Sequence, residues 1–149
     1  MPVETFPKIY LYRRIVQAKL FIDENFMHDI PLTKTADEAL FSKFHFIRLF
    51  KSIYGKTPHQ YLIHVRIENA KLLLQSRMSI SDVCYAVGFT SISSFTGLFR
   101  KIVGQTPSSF QVQQHKWLAE IAEMPLKFIP NCFAEKKGWS KNSNFQEVG

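Results

Sequence analysis

The sequence predicts an all-α protein of seven helices, in which two similar helical subdomains are joined by a long linker helix. Two observations carry this prediction. Apolar residues recur at the 3.6-residue period of a helix, and no convincing alternating pattern of a strand competes with them. The segment FIRLFKSIYGKTP at 46–58 returns as FTGLFRKIVGQTP at 95–107, with seven of thirteen positions identical. One structural unit therefore occurs twice.

Turn and capping residues place the helix boundaries. Gly55 and Gly104 stand where a helix ends on a left-handed residue, and each is followed by a Thr-Pro pair typical of the next helix start. Thr57 and Gln60 have the spacing of a capping box, and Ser79 has an acidic residue three positions later. In chain order, the predicted helices span 8–26, 33–40, 42–54, 58–76, 80–87, 91–103 and 107–124.

The second helix of each repeat is amphipathic. Its apolar positions are equivalent in the two copies: Phe46, Leu49, Phe50 and Ile53 in the first, and Phe95, Leu98, Phe99 and Ile102 in the second. The linker helix is predicted to pack through a stripe of four residues: Tyr61, Leu62, Val65 and Leu72.

Several classes of protein do not fit the sequence. It has 149 residues, 46% of them apolar, but no stretch approaches the roughly 18 apolar residues of a membrane span. Lys8 and the arginine pair at 13–14 interrupt the N-terminal apolar stretch, so no signal peptide is predicted and a cytoplasmic location is expected.

Cys84 and Cys132 lack metal-site spacing, and Cys84 is predicted to be a core residue in preference to a redox sensor. The five histidines are dispersed, so we expect no enzyme, no metal site and no cofactor.

Charge is concentrated in the middle of the chain. The whole sequence has a formal net charge of +7, but residues 43–116 alone carry ten Lys and Arg residues against Glu68 and Asp82. No acidic residue occurs from 83 to 116. Such a segment is typical of surfaces that bind nucleic-acid phosphates, although a solvated basic face would have the same composition.

A short helix, a tight turn and an amphipathic helix in a basic segment form the pattern of a helix-turn-helix DNA reader, and the pattern occurs twice. The string VCYAVGFTSISSFTGLFRKIVGQTPSSF at 83–110 resembles the signature of the DNA-binding domain of the AraC/XylS family of bacterial transcription regulators. TADEALFSKFHFIRLFK and RIENAKLLL also fit. The resemblance covers about 9–113, roughly 70% of the chain. It implies a domain over 1–116, with helix-turn-helix subdomains at about 8–55 and 79–113 joined by the linker helix 58–76.

In the first reader, residues at i, i+3, i+4 and i+7 form a second face of the helix 42–54, offset from its apolar face: Phe44, Ile47, Arg48 and Lys51. The forked donors of Arg48 suit the O6/N7 edge of guanine, and Lys51 suits a phosphate. Phe44 and Ile47 suit thymine methyl groups. The resemblance implies base contacts at Phe44, Ile47 and Arg48. Core packing of Phe44 and a solvated charge at Arg48 are the alternatives.

The second reader has a poorer reading surface, formed by Ser93, Thr96, Gly97 and Arg100. Gly97 has no side chain to reach a base, where many family members have a large polar or basic one. Ser93 and Thr96 are candidate contacts or simply exposed helix residues, and Arg100 suits a phosphate. We therefore expect a weaker preference for particular bases in this half of the DNA site.

The expected partner is double-stranded promoter DNA, bound by a monomer through two adjacent segments of the major groove. A second interpretation is a protein-interaction module that binds RNA polymerase without reading bases. Residues 117–149 form an extension of unassigned role, whose aromatic residues either pack on the helices or meet a partner. Many members of the family it resembles carry a ligand-sensing domain ahead of the readers, whereas few residues precede the first helix here. We therefore expect either a regulator that is controlled by its abundance or a fragment of a longer protein.

Overall fold

The computed structural model describes residues 5–31 and 43–123, with side chains described from Ile9 onward. All regular secondary structure in these ranges is helical, which confirms the predicted all-α class. The helix predicted at 33–40 and the extension beyond 123 lie outside the described residues. The six described helices are α1 (Thr5–Asn25), α2 (Lys43–Tyr54), α3 (Pro58–Leu73), α4 (Ile80–Ala86), α5 (Ile92–Val103) and α6 (Pro107–Glu123).

The described helices enclose two separate hydrophobic cores, which we call the first and second lobes. The first core lies between α1, α2 and the start of α3, and the second lies between the end of α3 and α4 to α6. The first core consists of Ile15, Ala18, Ile22, Ile30, Phe46, Phe50 and Leu62. The second consists of Ile67, Ala70, Leu74, Val83, Cys84, Val87, Phe89, Phe95, Phe99 and Phe110.

Helix α3 is shared by both lobes, and it uses a different face for each. Leu62 is buried in the first core, whereas Ile67 and Ala70 are buried in the second and lie roughly 80–140° around the helix from Leu62 at 3.6 residues per turn. The stripe predicted through Leu72 is therefore wrong at that residue, which is 64% exposed. Leu72 continues the face that Tyr61 begins, but the first lobe ends before the helix reaches it.

The linker helix is also shorter than the predicted 58–76, because α3 ends at Leu73. The amides of Gln75 and Ser76 donate to carbonyl oxygens only three residues back, at 3.2 and 3.0 Å, so the last turn tightens and the α-helix stops. No Gly or Pro marks this end in the sequence, which is why the boundary was placed too late. At 1.5 Å per residue, the 16 residues of α3 span about 24 Å.

The predicted start of α3 is confirmed in atomic detail. The hydroxyl of Thr57 accepts from the amide of Gln60 at 3.2 Å, and the side chain of Gln60 accepts from the amide of Thr57 at 3.0 Å, which completes the capping box. Gly55 and Gly104 have φ of +73° and +91°, as expected for glycines that end a helix. These short signals fix the turn after α2 and the equivalent turn after α5.

Candidate nucleic-acid interface

Helices α2 and α5 are structural equivalents. Each has twelve residues, and each of the twelve equivalent positions has the same class of burial in both helices: exposed, half-buried or buried. Phe46 and Phe50 occupy the buried positions of α2, as Phe95 and Phe99 do in α5. The repeat seen in the sequence is therefore a repeat of packing, and each lobe exposes the equivalent positions of its helix to solvent.

The short helix α4 and the turn after it set the position of α5. Val83 and Cys84 are buried on α4, and Val87 and Phe89 are buried in the turn. Ser91 caps the start of α5, and its hydroxyl accepts from the amide of Ser94 at 3.3 Å. This arrangement of helix, turn and amphipathic helix is the predicted second helix-turn-helix unit.

Cys84 belongs to this core. Its side chain is fully buried, and the burial raises the pKa of its thiol because the thiolate would lose its hydration. Both properties fit the predicted packing role. Cys132 lies outside the described residues.

The exposed face of α2 carries three of the four predicted contacts of the first reader. Phe44 is 74% exposed, so core packing of its ring is excluded. Arg48 and Lys51 are exposed on the next two turns of the same face. The Nε atom of Arg48 lies 3.4 Å from the carbonyl oxygen of Phe44, a long local contact that leaves the side chain close to the helix surface.

Ile47 is placed differently from the other three. It is half-buried and packs partly against the first core, at the border between the core and the exposed face. Thr96 is half-buried at the equivalent position of α5. A ligand on the exposed face would meet only the edge of either side chain.

The exposed face of α5 has less to offer a base. Ser93 is exposed, and its hydroxyl lies 2.8 Å from that of Ser91. Gly97 is exposed, and a Cβ atom built there would have no neighbour within 4 Å. Arg100 is exposed on the following turn. The structure thus brings the predicted residues of the second reader to one side, with a gap at its centre.

Sequence reasoning missed the side of α5 that faces α3. A groove there is lined by Ile63, Leu98 and Ile102, with Lys56 and Lys101 among its polar residues. Ile102 and its equivalent Ile53 were assigned to the apolar faces but are exposed. No local pattern could have shown the groove, because its lining residues come from α3, the turn before it and α5, and α5 is distant from the other two in sequence.

Over 5–31 and 43–123, no group of three or more potential metal-ligating side chains occurs. None of the helices in these ranges is long and apolar enough to cross a membrane.

Comparison with known proteins gives consistent results. A family model described as a helix-turn-helix domain matches residues 35–113. The bifunctional transcriptional activator and DNA repair enzyme AdaA of Bacillus subtilis is 38% identical over 92 residues, which cover 61% of this chain and 44% of AdaA. Across the curated relatives compared, the match spans between 30% and 58% of the relative's length.

Solved structures give the same picture. A transcriptional regulator from Chromobacterium violaceum, described as containing an AraC-type DNA-binding domain, has a TM-score of 0.62 at 26% identity, covering 70% of this chain and 94% of the other. The DNA-binding domain of the global transcriptional factor AdpA, in complex with a target DNA, also has a TM-score of 0.62. It is 28% identical and covers 72% of this chain and 93% of its own.

Proposed function

Because the chain belongs to the AraC-type family of helix-turn-helix transcription regulators, we propose that it is a sequence-specific, non-enzymatic regulator that binds promoter DNA as a monomer. In this proposal α2 and α5 enter two adjacent segments of the major groove. Such a regulator would act in the cytoplasm, where bacterial DNA is found.

The observation that carries the proposal is the identical exposure pattern of α2 and α5. Each lobe therefore turns the same positions of one helix to solvent, and the segment that contains both helices carries ten Lys and Arg residues against two acidic ones. Two equivalent exposed helices in a basic segment are the arrangement expected of a bipartite DNA reader.

We assign the reading of bases mainly to α2. Arg48 would donate to the O6 and N7 atoms of a guanine, Phe44 would contact a thymine methyl group, and Lys51 would bind a phosphate. Ile47 would add an apolar contact from the edge of the face. These roles suit the exposure of each side chain, from the free ring of Phe44 to the half-buried Ile47.

In α5 we assign base contacts to Ser93 and Thr96 and a phosphate contact to Arg100. The open position at Gly97 leaves a groove-facing gap, so the second half-site would be read less strictly.

Helix α3, about 24 Å long, joins the two readers, whereas adjacent major-groove segments lie about 34–36 Å apart. The turns at both ends of α3, together with bending of the DNA, would cover the difference.

The competing function is an interaction module that binds a protein such as RNA polymerase and does not read bases. Its support is that three apolar side chains of α6 are exposed: Val112, Trp117 and Leu118. Selection of bound sites from a random DNA pool separates the two functions. A bipartite consensus of about 20 base pairs, protected by a monomer, supports the proposal. Equal binding of all sequences would overturn it.

A further inference from the structure

The two lobes meet at the end of α1. Phe26, in the turn after this helix, is the one described residue that packs partly against both hydrophobic cores. Among the described residues, contacts made at this turn join the two lobes in addition to the shared helix α3. Those contacts come from Arg66 on α3 and from Gly88 in the helix-turn-helix of the second lobe.

Arg66 holds the turn from one side. Its Nε donates to the carbonyl oxygen of Phe26 at 2.7 Å, and its Nη2 donates to the carbonyl oxygen of His28 at 2.9 Å. The same guanidinium lies over the ring of Phe89, with Cζ 5.7 Å from the ring centroid. One side chain therefore binds the backbone of the first lobe and the aromatic core of the second.

Gly88 holds the turn from the other side. Its φ is +97°, and a Cβ atom built on it would lie 2.8 Å from the carbonyl oxygen of Phe26 and 3.0 Å from the backbone of Met27. The second lobe thus approaches the first to backbone contact at this point. The oxygen that receives the bond from Arg66 is the oxygen with which a Cβ atom at Gly88 would clash.

The chemistry of this contact requires arginine. Bonds from a cation to carbonyl oxygens just beyond the end of a helix are charge-assisted and favoured by the helix dipole. Burial lowers the pKa of Arg66, and the nearby carboxylate of Asp29 opposes that shift. A lysine would keep the charge, but it has no planar fork that can reach two carbonyl oxygens while lying on an aromatic ring.

We propose that Arg66 is a positioning residue that fixes the direction of α5 relative to α2, and thereby the spacing between half-sites that the protein accepts. This inference rests on the proposed DNA-binding function. A rigid link between the lobes lets the second lobe bind as an intramolecular event only when the spacing is correct. A loose link would weaken binding at that spacing and tolerate others.

The first experiment measures affinity for DNA whose two half-sites are separated by the selected spacing or by one or two base pairs more or fewer. For the wild type, one added base pair should lower affinity about tenfold, since each pair turns the second half-site by about 35°. For Arg66→Gln and Arg66→Lys, the optimal affinity should fall about tenfold and the spacing penalty should shrink to less than about threefold. Binding to a single half-site should stay within about twofold of the wild type.

Arg77→Gln is the matched control, because Arg77 is an exposed arginine of the same basic segment whose side chain forms no hydrogen bond or ion pair with the described residues of the first lobe. Any loss of affinity in this variant should be equal at all spacings. If both Arg66 variants also lose affinity equally at all spacings and at the single half-site, Arg66 acts only as a charge or a structural residue and the inference is wrong.

A second experiment needs no DNA and distinguishes this inference from the proposed function. Spin labels at Ser52→Cys and Ser108→Cys, both at exposed positions, report the distance between the lobes in a Cys132→Ser background. Arg66→Gln should broaden the distance distribution about twofold, because the lobes would sample more orientations. An unchanged narrow distribution would overturn the positioning role even if sequence-specific binding is found. A broadened one would support that role even if no specific site is selected.

Discussion

Arg48 and Gly97 occupy the same exposed position of equivalent helices, 49 residues apart, and only Arg48 carries a side chain that can reach a base. Every neighbouring position along α2 and α5 has the same degree of burial. The difference between the two readers therefore lies in side-chain chemistry and not in packing. Specificity is expected to be unequal between the two half-sites for this reason.

Arg48→Ala should weaken the best site by about 1–3 kcal/mol and relax the preference at one or two base positions. Lys51→Ala should weaken all sequences alike, because a phosphate contact does not depend on the base. Site-preference profiles on one DNA library measure both effects. A profile in which Thr96→Ala erases more preference than Arg48→Ala would make α5 the principal reader.

Gly97→Ala should leave the base preference unchanged. It should also raise the free energy of unfolding by up to about 1 kcal/mol, because glycine is a poor helix former. The added methyl group meets no atom within 4 Å, so no clash offsets the gain. Urea denaturation and the same DNA library test the two parts. A lower free energy of unfolding for Gly97→Ala than for the wild type would contradict the open space around this position.

Binding should depend steeply on salt. With six to nine phosphates contacted, the plot of log affinity against log salt concentration should have a slope of about −5 to −8. Lys51→Ala should reduce the slope by about one. Lys71→Ala is the control, since Lys71 forms an ion pair with Glu68 on α3 at 3.2 Å, and it should leave the slope unchanged. A flat salt response in the wild type would contradict the proposed phosphate contacts.

Gly88 and Gly104 should differ in their tolerance of alanine, although both have positive φ. Gly104→Ala adds only backbone strain, because its Cβ would meet open space, and should cost about 1–2 kcal/mol. Gly88→Ala adds a clash with the backbone at Phe26 and should cost about 3 kcal/mol or more. Unfolding curves in urea compare the two. Equal losses would mean that the lobes do not approach each other this closely.

Tyr61 should make stability depend on pH in the alkaline range. Its hydroxyl donates to Asp23 at 2.7 Å, and burial together with this bond raises the pKa of Tyr61 to about 12. The folded state therefore keeps a proton that the unfolded state loses near pH 10, so stability falls as pH rises from about 10 to 12. Below pH 10 Tyr61→Phe should cost about 1 kcal/mol, since the bond is partly exposed.

The check on Tyr61 is the difference in unfolding free energy between the wild type and Tyr61→Phe, followed from pH 8 upward. This difference should be constant below about pH 10 and should shrink as the pH rises from about 10 to about 12, between the pKa values of the unfolded and folded states. Tyr85→Phe is a control, because Tyr85 is an exposed tyrosine outside the first lobe. A difference that does not change with pH would contradict the bond between Tyr61 and Asp23.

The sequence alone determined the local structure of this protein. Glycine and Thr-Pro signals act over a few residues, so the ends of α2 and α5 and the capping box at Thr57 could be placed from them. The two phenylalanines of each repeat are buried as predicted, because the helical period places residues four positions apart on one face of the helix. The family resemblance likewise rested on contiguous strings, such as the one at 83–110.

Only the tertiary structure decided how the lobes share α3. A single helical stripe predicted Leu72 inside, but the helix serves two cores with two faces, and this division depends on where the first lobe ends. The meeting of Arg66, Gly88 and the turn at Phe26 joins residues about 40 and 60 positions apart. No periodicity or short motif in the sequence indicates such a contact, because it arises from the packing of whole helices and not from neighbours in the chain.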